Sequence, residues 1–395
     1  MNLLLTAAWF KLAAVGIAQL NIPGADGSDG VLETPLRATT LATVTIDLSQ
    51  AVTGKWDDDN SANSGKGVYD PEKWAVIFKY SAVNINTNTL LVFKNHPSGA
   101  PVVWLVSGDV NVNGRVELNA RSASDNDPFG EPGPGGFRGA YSSGANWGFG
   151  PGGAPPAAPG VYATPETNPG WANYATYGNS RIVPLIGGSG AGTHLDRYFG
   201  GGGGGAILIA ARNDIVISGT VVAYPFGKSN IAWTGGGGAI RLVAREIRGN
   251  GGLGTGTSGR IRLEAEAFSG NLRSSPDTAV VAPDSPPLIW PDSKAAVARI
   301  LSVSGMNVGS DPRASLELPG ADVSFQNDQP IEVVIETRNL DVDRSSVNLR
   351  ITPKRGAAQF VKASWQSGDA AQSRWIATAR IPQGYAALQV RAVGQ

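Results

Sequence analysis

The chain has 395 residues with 32 basic against 32 acidic side chains, no Cys and two His, which argues against a polyanion such as nucleic acid, excludes disulfide and thiolate chemistry, and leaves a poly-His zinc site without ligands. Only 16% of residues are charged, while Gly (53) and Pro (26) are abundant yet short of a wholly disordered composition. A packed protein with glycine-rich parts is expected.

Residues 1–18, "MNLLLTAAWFKLAAVGIA", are apolar and end in small residues, the pattern of a secretory signal peptide, although a basic first region is missing and Lys11 interrupts the core. No later segment reaches the roughly eighteen uninterrupted apolar residues of a membrane span, so none is expected in the mature chain. "TLATVTIDLS" from Thr40 and "WAVIFKYSAVNINTNTLLVFKN" from Trp74 alternate with period two and predict strands. Between them, "KWDDDNSANSGKG" offers oxygens from Asp57, Asp59 and Asn60. It is the best local Ca²⁺ loop, but it lacks the Gly and distal Glu of an EF-hand, so a solvated acidic turn is the preferred reading and no cofactor is expected.

Four segments then repeat one pattern: "VVWLVSGDVNVNGRVELNA" from Val102, "AILIAARNDIVISGTVVAY" from Ala206, "AIRLVAREIRGNGGL" from Ala239 and "RIRLEAEAFSGNL" from Arg260. Aligned, they place Val103, Leu105 and Ser107 level with Ile207, Ile209 and Ala211, with Ile240, Leu242 and Ala244, and with Ile261, Leu263 and Ala265. In this phase Trp104, Val106 and Leu208 face outward. Repetition of a unit that cannot bury its apolar face alone predicts a parallel β-solenoid over residues 19–273, its coils stacked on one another.

The last three copies follow "GGGGGG", "GGGG" and "SG". A phosphate loop needs a helix and a Lys-Ser/Thr pair after its glycines, and neither follows here. The structural reading is close backbone approach, with glycine segments packing as extended polyglycine or polyproline-like chains. Residues 121–199 form a Gly, Pro and aromatic-rich excursion between the first and second copies. Its Phe137, Tyr141, Trp147, Phe149, Trp171, Tyr174 and Tyr177 are candidates for binding glycans or proteins; the alternative is that they fill space between glycines.

Acidic residues recur after the first strand of each copy, at Asp109, Asp214 and Glu246, with Arg212 and Arg245 beside two of them as candidate neutralising partners; a solvated turn is preferred to a cation ladder. Arg241 and Arg262 occupy equivalent positions with Glu246, Glu264 and Glu266 interleaved, a self-neutralised face. Neither His96 nor His194 sits in a nucleophile motif.

Residues 274–294 contain five prolines and read as a semi-rigid linker. Residues 295–395 alternate in about seven short runs, which predicts an immunoglobulin-like β-sandwich. The whole mature chain is expected to be all-β.

The repeated segments, together with "GADGSDGVLE" near the start, resemble a widespread group of glycine-rich secreted bacterial surface proteins over most of residues 21–270. The resemblance implies a β-solenoid exported to the cell exterior, followed by a sandwich domain, and it brings no catalytic motif. The expected role is a non-enzymatic, extracellular or cell-surface protein of adhesion, surface structure or filament assembly. Its partners would be further copies, other surface proteins or glycans. A carbohydrate-active β-helix enzyme, or an adhesin binding glycans or a receptor through the aromatic excursion, are the alternatives.

Overall fold

The computed structural model describes residues 19–36, 39–58, 63, 65–121, 130–141, 144–162, 176–193, 199–226, 232–314, 320–326 and 329–394. These are all-β apart from one short helical turn, Leu48–Gln50. The strands up to residue 281, the last two reaching into the proline-rich stretch, are β1 (Gly30–Glu33), β2 (Ala42–Asp47), β3 (Val52–Thr53), β4 (Val68–Asp70), β5 (Ala75–Ile85), β6 (Thr89–Lys94), β7 (Val102–Val106), β8 (Val110–Val112), β9 (Arg115–Glu117), β10 (Phe199–Gly200), β11 (Ala206–Ala211), β12 (Asp214–Ile217), β13 (Thr220–Val222), β14 (Ala232–Trp233), β15 (Ala239–Gly249), β16 (Gly252–Gly254), β17 (Arg260–Gly270), β18 (Arg273–Ser275) and β19 (Val280–Val281).

Two large sheets, parallel but for the β4–β5 pair, and a small one of β10 and β14 are built from them. The larger, of eleven strands, runs β11-β7-β5-β8-β12-β15-β17-β19, with β1 and β4 paired to β5 and β3 to β4. The smaller, of six strands, runs β18-β16-β13-β9-β6-β2. Their facing side chains share one core, including Phe78, Trp104, Ile207, Ile240 and Ile261 from the larger sheet and Leu91, Val116, Val221 and Leu253 from the smaller. The outer face of the larger sheet buries a second cluster with Ile77, Val103, Leu105, Leu208 and Val243.

This connectivity corrects the expected open solenoid. Long β5 pairs with both β7 and β8, and long β15 pairs with both β11 and β12. With β7 paired to β11 and β8 to β12, six strands close into a parallel barrel by hydrogen-bond connectivity. The polar turn expected in every copy is the reason for the misreading. It interrupts the strand between β7 and β8 and between β11 and β12, whereas β15 and β17 run unbroken for eleven residues.

The phase of the repeat also needs one correction. Ile207 pairs with Val102 and Ile209 with Trp104, so Trp104 and Val106 point into the shared core while Val103 and Leu105 lie on the other face. The expected outward position holds for Leu208 alone, and even that residue is covered. Alternation reports a phase only when one face is wet, and β7 is buried at all five positions. In the later copies Ile240, Leu242, Ile261 and Leu263 enter the core as expected.

Glycine-rich segments of the excursion join the glycine run 200–205 beside the barrel. A Cβ on Gly200 or Gly203 would strike the carbonyls of Ala191 and Gly188, one on Gly201 or Gly204 those of Phe226 and Ala223, and one on Gly202 or Gly205 those of Glu131 and Pro134. Every third residue thus faces the same neighbour, the threefold repeat of a polyproline-II-like chain. Such a chain has no internal hydrogen bonds, so its amides bond sideways. Gly201 and Gly204 donate to Trp233 and Gly236, and their own carbonyls accept from Ala191 and Gly188. Glycine is required because the chains are close enough for backbones to touch.

The C-terminal strands are β20 (Val297–Val303), β21 (Met306–Asn307), β22 (Ile331–Arg338), β23 (Ser345–Pro353), β24 (Gln359–Lys362), β25 (Ser364–Gly368), β26 (Gln372–Ala379) and β27 (Ala386–Gly394). They form not the expected immunoglobulin-like sandwich but two antiparallel sheets, β21-β20-β22-β26-β25 and β24-β23-β27, over a core of Val333, Ile335, Leu349, Ile351, Trp375 and their neighbours. Short alternating runs in sequence give the strands and leave their pairing order open. The proline-rich stretch lies along the barrel: Leu288 accepts a hydrogen bond from Arg241, Ile289 is buried in the outer cluster, and Trp290 meets Trp56 edge-on.

Candidate functional site

The densest polar construction lies where the glycine bundle meets the C-terminal sheets. β23 turns Val347, Leu349 and Ile351 into its own core and presents Arg350 on the opposite face. That guanidinium is only 5% exposed. It donates to the carbonyls of Gly150 at 2.8 Å, Gly148 at 2.9 Å and Gly153 at 3.0 Å, and to the Thr352 hydroxyl at 3.0 Å. The rings of Trp147 and Phe360 flank it at 5.9 and 5.7 Å and meet each other edge-on at 6.0 Å. No carboxylate is among these partners, and burial pulls its pKa down to about 10. A fork of fixed N–H donors suits this task, since three carbonyls converge on one plane-shaped cation. Nearby, the Gly356 amide donates to Asn146 Oδ1 at 2.7 Å, and Tyr141 lies under Lys354 and Arg355.

A second contact joins the same two parts. The Tyr69 hydroxyl donates to Asp311 at 2.5 Å, and Arg313 donates to the Pro71 carbonyl and covers the Trp74 ring. Burial, reinforced by the Asp311 hydrogen bond, raises the Tyr69 pKa to about 12. His96 stacks on Tyr69 at 4.0 Å, with Nδ1 2.8 Å from the Ser98 hydroxyl. Burial holds its pKa below the ordinary value against the opposing charge of Asp311.

The aromatic candidates of the excursion are used in packing where they are described. Trp147 and Phe149 are buried, Phe137 lies 6.0 Å from Trp74, and Tyr141 reaches Lys354 and Arg355. The Tyr177 hydroxyl donates to the Gly187 carbonyl at 2.6 Å, and its ring meets Tyr162 at 4.9 Å. Trp171 and Tyr174 lie outside the described residues, as do His194, Asp59, Asn60 and the N-terminal residues 1–18. Asp57 is exposed. Beside it, buried Lys79 places its ammonium 3.2 Å from Asp26 and 2.9 Å from the Asp58 carbonyl. Among the described residues no group of three or more His, Cys, Asp or Glu could hold a metal ion, and no helix is long and apolar enough to cross a membrane.

Of the acidic turns, Asp214 is neutralised by Arg245 at 2.5 Å, while Glu246 accepts from the Ser269 hydroxyl and Asp109 from the Asp214 amide. The arginine pair is likewise satisfied, as Arg241 and Arg262 both donate to Glu264, at 2.8 and 2.6 Å. One cleft, of about 430 Å³, opens beside the C-terminal ends of β6 and β9 in the smaller sheet and is lined by Lys94, Asn95, Glu117, Asn119, Arg121 and Glu131 among others. Glu117 is held by Arg115 at 2.9 Å, and Glu131 by Arg138 at 2.8 Å and Asn95 at 3.0 Å.

Comparison with protein-family models, curated proteins and solved structures gives no match. Sequence reasoning passed over Arg350 and Lys79, because each sits on a strand position whose covering comes from a distant segment.

Proposed function

We propose that this is an exported structural protein of the cell surface, serving adhesion, surface architecture or filament assembly. The observation that carries the reading is the Arg350 clasp on the glycine bundle. A buried cation and three glycine carbonyls are committed to holding the parallel barrel and the C-terminal sheets as one piece, a use of buried polar groups that serves rigidity. The partners proposed are further copies, other surface proteins or glycans. The reading is tested by protease shaving and antibody labelling of intact cells expressing the full chain, with electron microscopy of the released protein. Surface exposure in an ordered assembly is expected. Retention inside the cell would refute it.

A second reading, glycan binding, is favoured by the cleft beside the smaller sheet. It sets two carboxylates, two asparagine side chains and an arginine around a volume fit for a saccharide unit. Loss of glycan binding in Asn119→Ala would support it, and a chain that binds no glycan in solution would remove it.

A further inference from the structure

The two ends of the strand stack match. At one end, β1 covers only the second half of β5, pairing Tyr80 to Asn84, while antiparallel β4 covers the first half. At the other end, β19 takes only Leu263 and Glu264 of β17, leaving Ala267–Gly270 without an outer neighbour among the described residues. In the smaller sheet β2 and β18 are the terminal strands. Among the described residues the free edge of the larger sheet is therefore that of β1 at the first end and of Ala267–Gly270 at the second, both following the second half of the long strands and each next to a terminal strand of the smaller sheet.

The side-chain rows run from one end to the other in register. One inner row is Leu32, Val83, Val110, Ile215, Ile247 and Phe268; another is Val44, Leu91, Val116, Val221, Leu253 and Ser274. Both ends expose apolar groups, Val31 (56%) and Leu41 (65%) at the first and Phe268 (42%) at the second. A third row begins at Glu33, whose carboxylate accepts from the side-chain amides of Asn84 and Asn86, and ends at Arg248 and Ser269. Arg273 is exposed at the start of β18. The carboxylate at one end thus has guanidinium groups to meet at the other, exposed Arg273 and Arg248, the latter 3.8 Å from Asp214 within its own copy.

We infer that copies of this chain associate head to tail, β1 and β2 of one adding in parallel to β17 and β18 of the next. A strand spacing of about 4.8 Å continues the row of Ile247 and Phe268 onto Leu32 of the next copy and sets Glu33 over Ser269, within side-chain reach of Arg248. The contact joins different surfaces, so it extends without closing, and edges of this kind are templates for added strands. It deepens the structural reading above and names the partner as a second copy.

The test uses the full chain in sedimentation velocity and negative-stain microscopy. Wild type should form concentration-dependent linear chains. Val31→Lys and Phe268→Lys should each remain monomeric with unchanged circular dichroism, and their equimolar mixture should stop at dimers, because only one competent end of each kind remains. Should Phe268→Lys lower the melting temperature, Arg273→Glu takes its place, with the same loss of chains expected. Wild type monomeric at every concentration reached, variants that still form chains, or a mixture that elongates would each overturn the contact. A monomer displayed on the cell surface would overturn it and leave the structural reading standing.

Discussion

Replacing Arg350 with Met removes the charge, keeps most of the stem's volume, and leaves the Gly148, Gly150 and Gly153 carbonyls without their donor. Hydrogen bonds to a charged group are worth about 1.5–3 kcal/mol each, so the three carbonyl bonds represent about 4.5–9 kcal/mol. Against this stands the cost of burying the cation. Its pKa falls from 12.5 to about 10 through burial, and at about 1.4 kcal/mol per pH unit that is roughly 3.5 kcal/mol. The difference predicts a loss of about 1–5.5 kcal/mol for Arg350→Met, with Arg350→Lys in between because an ammonium cannot reach three carbonyls in one plane. The measurement is urea denaturation followed by tryptophan fluorescence, paired with proteolysis of residues 276–294. A Met variant within about 0.5 kcal/mol of wild type, the ordinary range for surface changes, would refute the clasp.

Other expectations concern the bundle, the histidine and the acidic loop. Gly203→Ala places a Cβ 1.9 Å from the Gly188 carbonyl, whereas Gly309 has nothing within 4 Å; the first should lose more than about 4 kcal/mol in denaturation and Gly309→Ala almost nothing. His96 has a folded pKa below its unfolded 6.5, so its contribution is present above that pH and is lost as pH falls through the folded value. The melting temperature should therefore drop between about pH 7.5 and about pH 5, and by less in His96→Gln; equal drops would remove this role. With the Lys79 ammonium already held by the Asp26 carboxylate and the Asp58 carbonyl, neither millimolar Ca²⁺ nor a chelator should move the melting temperature. A rise with Ca²⁺ would place a metal in the loop.

Much of the candidate site was hidden for a definable reason. Arg350 stands between Leu349 and Ile351 in a clean alternation, which marks it as an outward residue of a half-wet sheet. That its outward face meets glycine carbonyls some two hundred residues earlier is a property of docking, and no local pattern encodes it. The same holds for Tyr141 and Trp147, whose partners Lys354, Arg355 and Phe360 belong to the other part of the chain.

What the amino-acid order determined by itself is the all-β character, the inward rows of the later copies and the demand for glycine beside them. Period two with β-branched residues is a local property, and a run of six glycines has meaning only where chains touch. The tertiary structure alone decided the phase of Val102–Val106, the closure of six parallel strands and the order of the C-terminal sheets. A strand buried on both faces carries no wet side to read, and pairing depends on which distant edges meet. The threefold contact pattern of Gly200–Gly205 joins the two levels: sequence supplies the missing side chains, and the fold supplies the three neighbours that need the space.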